Sequence, residues 1–339
     1  MMKYLETRNC TAYKVNANHL VYIKDGYMHI YPDKTIKGEF VNLTLDDYFI
    51  YTYDIGTCET VFYDIGSLKK IYCSKDFLSI IYDADYRKEK KYLFGQYRDS
   101  ENKYWVFVNA KQFSVEQKYK ITIENRYLLL ISDFSFIFKD NEKILLKRLD
   151  NNVVLWQHSF SELLPPIQTA DNLFQNGNMI IHNGCLYFSL FENNRHLNTA
   201  TICIDIETGK VENIFKGFAG NLSLFGNNIG IVSNETVQIL NTETNKIETL
   251  NVSSILKPHN LSISWNGNIF TEDGLLYFRG DSKVGIIDLD AKELLWHTSF
   301  DISKLEYNIN QQIMDIQLHS EKLYIHCSDN TLHIFENEK

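Results

Sequence analysis

Short apolar runs separated by polar pairs fill the chain from end to end, and the same form returns repeatedly. "NGCLYFS" (183–189), "DGLLYFR" (273–279), "SEKLYIH" (320–326) and "NHLVYIK" (18–24) each read as a turn pair and a strand, with Tyr187, Tyr277, Tyr324 and Tyr22 at one fixed place. Each is followed by a polar turn and a second run: "ATICIDIE" (200–207), "KVGIIDLD" (283–290), "TLHIFE" (331–336) and "YMHIY" (27–31). Weaker members fit the same mould: "YFIYTY" with "ETVFYDI", "KKYLFGQYR" with "KYWVFVNA", "FSFIFKD" with "KILLKRLD", and "NIGIVS" with "TVQILNTE". Runs of this length, rich in aromatic and β-branched residues and bounded by Gly, Asn and Asp, predict β-hairpins.

Eight hairpins begin near residues 20, 48, 91, 134, 185, 229, 275 and 322, in steps of 28, 43, 43, 51, 44, 46 and 47 residues. Each step leaves room for two more strands, such as "KIETL" (246–250) and "NLSIS" (260–264). A four-stranded antiparallel unit of this length is a β-propeller blade. The expected fold is therefore all-β: a single propeller domain over residues 1–339 with eight four-stranded blades. Seven blades is the alternative, because the first step is short.

A second repeat supports the count. "LDNNVVLWQHSF" (149–160) and "LDAKELLWHTSF" (289–300) align without a gap, which puts Trp156 and Trp296 at one outer-strand position three blades apart. A blade cannot bury both its faces alone, so a Trp there is expected to wedge against the next blade. The last unit ends without a fourth strand, whereas "KYLETRN" (3–9) precedes the first complete unit. Pairing 3–9 beside 331–336 would close the ring and leave no exposed sheet edge.

"LDAKELLWHTSF" and "IDIETGKVENIF" (204–215) resemble the repeat of the pyrroloquinoline-quinone-like, or quinoprotein-type, propellers, in which a strand is followed by Leu-Asp-x-x-Thr-Gly-Lys-x-x-Trp. The resemblance is clear in blades four, five and seven and implies the scaffold, often eight-bladed. The quinoprotein dehydrogenases of that family carry an adjacent Cys-Cys pair near the cofactor. No Cys-Cys pair occurs in this chain, so no cofactor and no catalytic residue is carried over.

Composition narrows the function. The 21 Tyr and 21 Phe suit strands. A net charge of −9, with only Arg87-Lys88-Glu89-Lys90-Lys91 as a basic run, argues against nucleic acid as partner. No run of 18 apolar residues and no leader-like N-terminal stretch occurs, and the six cysteines are scattered. The expectation is a cytoplasmic, bacterial protein with reduced thiols and no membrane insertion.

Phosphate-binding, dinucleotide, nucleophile-elbow, C-x-x-C and H-E-x-x-H motifs are all missing from the sequence, so no metal site is expected. The expected inner strands carry His182 and Asp315 as their only titratable groups. Long connectors stand out instead at 161–178, 251–260 and 301–312, with long hairpin turns at 98–103 and 192–198, all on one propeller face. Long loops gathered on one face indicate a binding surface. Leu163, Leu164, Ile255, Leu256 and Leu305 in "SELLPP", "SSILKP" and "SKLEY" read as helical turns that cap the core. The contact candidates are Arg98, Asp99, Glu101, Asn193, Arg195, His196, His259 and Asn310.

The expected function is a non-enzymatic propeller, a scaffold or an inhibitor of immunity type, that binds another protein through this face. One alternative is a hydrolase or lyase using His182, Arg195, His196 and His259. The other is carbohydrate or peptide binding on exposed aromatics.

Overall fold

The computed structural model describes residues 2–16, 18–45, 49–75, 77–80, 92–98, 102–109, 115–120, 127–132, 135–139, 142–148, 150–151, 153–165, 173–192, 199–233, 235–303 and 312–337. Among these residues the strands form eight four-stranded antiparallel sheets, spanning 12–36, 40–74, 77–120, 127–159, 173–216, 223–251, 269–299 and 313–337 with 2–9. The architecture is an eight-bladed β-propeller. The short first step is blade one itself, built from strands of three to five residues and the two-residue turn Asp25-Gly26, both at positive φ. By packing density the chain falls into two compact units. Cys10–Ser159 holds blades one to four; Met1–Asn9 with Phe160–Lys339 holds blades five to eight.

Successive residues of one strand serve different interfaces. On the second strand of blade seven, Leu276 and Phe278 pack with Val232, Val237 and Phe225 of blade six. Tyr277, between them, packs with Ile313, Leu323 and Ile325 of blade eight. Blade six repeats the pattern, sending Ile229 and Ile231 toward Tyr187 and Cys203 of blade five. In the other unit, Ile50, Val61 and Tyr63 of blade two meet Val21 and Ile23 of blade one, while Phe49, Tyr51 and Phe62 meet Val106 and Val108 of blade three. The period of two along each strand is thus spent on two cores.

The fixed tyrosine is the third residue of the second strand in all four hairpins that carry it, and all four side chains are buried. The outer strand bulges in its pairing with the third strand. Leu146 pairs with Trp156 and Lys147 with Val154, which leaves Leu155 extra; Ile286 pairs with Trp296 and Ile287 with Leu294, which leaves Leu295 extra. The two tryptophans are therefore equivalent. Trp296 lies edge-on to Phe335 of blade eight at 5.2 Å, as a wedge should, and Trp156 is buried. Ile71, Glu116, Glu212 and Leu5 take the same bulged place in other blades. A bulge twists an outer strand and discourages edge-to-edge pairing.

The turn after the third strand explains the rest of the repeated phrase. The Asp205 carboxylate accepts from the Thr208 amide at 2.7 Å and its hydroxyl at 2.6 Å, which holds its pKa below the ordinary carboxylate value. Asp64 with Ser67, and Asn241 with Thr244, repeat the arrangement. A side-chain oxygen that captures backbone donors two or three residues on is an Asx turn.

One predicted inner strand is corrected. "NLSIS" (260–264) alternates apolar and polar residues, yet blade seven's first strand is only Ile269–Phe270. Asn260 adopts the left-handed conformation (φ 52°), and Leu261 turns down into the core beneath the preceding helical turn instead of extending a ladder.

The predicted strand pairing is present. Met2–Asn9 pairs antiparallel with Thr331–Asn337 as the fourth strand of blade eight. A polar clasp fixes it. The Thr7 hydroxyl lies 2.9 Å from His333 Nδ1, and Thr331 Oγ1 lies 3.3 Å from Nε2 and donates to Asp329 at 2.5 Å. Asp329 also accepts from the Ser303 amide at 3.0 Å, and the Phe300 ring covers His333 at 4.6 Å. Burial lowers the His333 pKa, with Asp329 acting against it, and burial lowers His319 as well.

Two outcomes follow. Deleting residues 1–9 strips Thr331–Asn337 of its partner and exposes Phe335; we expect aggregation or loss of cooperative unfolding, and an unchanged melting curve would refute the closure. His333 and His319 resist protonation when folded, so the unfolded chain binds more protons near its value of about 6.5. Their contribution to stability is complete above that value and declines as pH falls through it. Thermal melts between pH 7.5 and 5 should show Tm falling on acidification, less steeply in His333→Gln.

Candidate binding site

The connector from blade six to blade seven is the longest fully described one, and its sequence dictates its path. Val252, Leu256 and Leu261 are buried among Phe270, Phe278 and Ile287, so their spacing rolls 253–259 into a helical turn, Ser253–Leu256, followed by a 3-10 turn, Lys257–His259. Asn251 Oδ1 accepts from the Ser253 amide at 2.9 Å. The Ser253 hydroxyl donates to the Glu235 carboxylate, which also draws Lys257 to 3.6 Å; both hold the Glu235 pKa low, the hydrogen bond more than the charge. Lys283 Nζ donates to the Asn260 carbonyl at 2.6 Å and fastens the connector's far end.

Beyond Asn260 the chain makes an excursion. The Ser264 amide donates to the Arg279 carbonyl at 2.7 Å, residues 265–268 leave the ladder, and pairing resumes at Ile269. Gly267 sits at φ +69°, a conformation that favours glycine, and a Cβ there would lie 2.5 Å from Arg279 Nε and displace the guanidinium. The Arg279 guanidinium fills the space. Its Nε and Nη2 donate to the Asn266 carbonyl (3.4 Å) and Oδ1 (3.1 Å). Its Nη1 donates to the carbonyls of Met314 (2.7 Å) and Ile313. Burial lowers the Arg279 pKa and Asp315 opposes the shift; the fork stays cationic.

The excursion of blade seven is thereby tied to the first strand of blade eight, and two apolar side chains are held outward: Trp265, 55% exposed, and Met314, 46% exposed. The turn between the second and third strands of blade seven lies at the same end. Asp281 and Ser282 accept from the amides of Ile313 and Phe300 at 2.7 and 2.9 Å. These bonds bring the described ends of the connector after blade seven to the same end of that blade as residues 252–268. His259 is exposed here, its ring 5.2 Å from that of His297 on the outer strand Glu293–Ser299.

The sequence candidates fare unevenly. His259 belongs to this end. Arg98 ends the strand Tyr92–Arg98, paired with Lys103. Asp99, Glu101, Asn193, Arg195, His196 and Asn310 lie outside the described residues, as does Leu305. Leu163, Leu164 and Leu256 are buried, which confirms their structural role. His182 is separated from His259. It closes the ten-residue strand Leu173–His182 beside the short Asn183-Gly184 turn, roughly 30 Å of strand from that blade's connector end. Of the proposed catalytic grouping, the two described members, His182 and His259, therefore stand at opposite ends of their blades. Trp265 was missed because it stands in an Asn-Gly turn and not in an apolar run.

No protein-family model matches the chain, and no curated protein matches it. Solved structures do. BamB from Moraxella catarrhalis superposes with a TM-score of 0.61 at 9% identity, covering 99% of this chain and 100% of that one. The Dos1 propeller gives 0.59 at 10% identity, covering 99% and 96%. Saccharomyces cerevisiae Sqt1 gives 0.58 at 9% identity, covering 100% and 98%. The fold is common to all three. At these identities the likeness speaks for the fold alone.

Arg279 is the testable keystone. Arg279→Ala leaves the Ile313 and Met314 carbonyls without their charged donor and should cost about 2–4 kcal/mol in urea unfolding. Protease sensitivity should rise at 264–268. Lysine cannot reproduce the fork, so Arg279→Lys should recover less than half the loss.

Proposed function

We propose that the protein is a non-enzymatic, cytoplasmic scaffold that binds a partner protein through the connector end of blades six to eight, with Trp265 as the anchor. The observation that carries this reading is the combination at residue 265. A large aromatic is left more than half exposed, yet the loop beneath it is locked by Arg279, Asn266 and Gly267. Tryptophan dominates binding hot spots, and a side chain already held in place has less freedom to lose on association. Met314, whose carbonyl the same guanidinium holds, is a second exposed apolar side chain at this junction. On this reading the chain uses the quinoprotein-type repeat as a scaffold without its cofactor.

A photo-crosslinking residue at Met314, compared with one at Glu243 on the opposite turns, tests the assignment in the native host with Trp265 intact. A partner captured at 314 and not at 243 is expected. Trp265→Ala should weaken that partner by about 2 kcal/mol or more while moving stability by under about 0.5 kcal/mol. Equal capture at both positions, or undiminished binding by Trp265→Ala, overturns it.

A further inference from the structure

We propose that His259 and His297 form an open two-histidine site for a divalent zinc-class metal ion. The residues are 38 positions apart in sequence and come from different elements, the 3-10 turn Lys257–His259 and the outer strand Glu293–Ser299. Folding brings their rings to a centroid separation of 5.2 Å with planes inclined at 56°. Two imidazoles that bind one tetrahedral ion at about 2.0–2.1 Å have ring centres roughly 5 Å apart, so the pair already has the spacing that coordination needs. Both side chains are exposed, and among the described residues neither forms a hydrogen bond, so their ring nitrogens are available as ligands.

Three features hold the pair in position. Leu256 and Leu261 bury the connector on either side of His259. The Lys283 ammonium fixes the Asn260 carbonyl. His297 stands on a strand paired along its length with Lys283–Asp288, opposite Gly285. The nearest cation on the turn, Lys257, is drawn toward Glu235, which reduces its repulsion of a metal. Imidazole nitrogen suits borderline ions such as Zn2+ and Cu2+. No group of three potential ligands converges among the described residues, so the remaining coordination positions are left to water. An ion held this way would staple the connector to blade seven's outer strand.

The test uses the full chain stripped with a chelator and titrated with zinc chloride against a chromophoric competitor. One equivalent should bind, at least tenfold more weakly in His259→Ala and in His297→Ala, and the double variant should bind no more tightly than either single. Wild-type binding retained in both single variants, or no binding by the wild type, refutes the site. A second readout needs no variant. Zinc should protect His259 and His297, but not His182, from diethylpyrocarbonate modification scored by mass spectrometry, and equal modification with and without zinc refutes the site independently.

Discussion

Consecutive side chains of a β-strand point to opposite faces, so every four-stranded blade has two apolar faces and can bury neither by itself. Each fully buried Leu, Ile or Phe is worth about 1.5–3 kcal/mol, and a blade gains this only when a neighbour presents a matching face. Blade seven shows the consequence at single-residue resolution, with Leu276 and Phe278 committed to blade six and Tyr277 between them committed to blade eight. Stability is therefore a property of contacts between neighbours, as in other repeat architectures. The need for a cover on each side also explains why the chain's first strand is spent on its last blade.

The same constraint decides what was legible in the sequence. Positions that face a neighbouring blade are restricted in size and polarity, so they repeat: the buried tyrosine on the second strand, the residue after the outer-strand bulge, the Asx turn that reverses the chain. Those signals located all eight hairpins and the equivalence of Trp156 and Trp296. Period alone could not separate "NLSIS" from a strand, because Leu261 and Ile263 alternate as strand residues do while packing beneath a helical turn. The decisive feature there is the backbone of Asn260, whose positive φ breaks extension, and an Asn in an Asn-rich chain is a weak signal. The candidate site was less legible still. His259 was visible as a loop residue, but its neighbour His297 reads as one more outward position on an outer strand, and only packing places the two rings side by side.

Polar groups inside the fold show how the restriction is relaxed. Arg279 and His333 both sit where a blade meets chain arriving from elsewhere, and both are partly withdrawn from water. Arg279 joins the excursion of blade seven to the opening carbonyls of blade eight, and His333 joins the third strand of blade eight to the N-terminal strand. Apolar packing is tolerant of sliding; directional hydrogen bonds are not. At these junctions register is set by donor and acceptor geometry, while elsewhere the hairpin turns set it.

Function follows from where the constraint ends. Residues on strands answer to two neighbours and have little freedom. The connectors answer to the core on one side only. In 252–268 the inward residues Val252, Leu256 and Leu261 repeat the chemistry of the blades, whereas His259 and Trp265 face away from them and are released from it. A rigid inner side with an unconstrained outer side is the arrangement from which a recognition surface is built, since binding then need not order the loop that carries it. Trp265 is the most exposed of the large apolar side chains among the described residues, and the turn that carries it is locked from beneath, which is the physical basis of the proposed anchor.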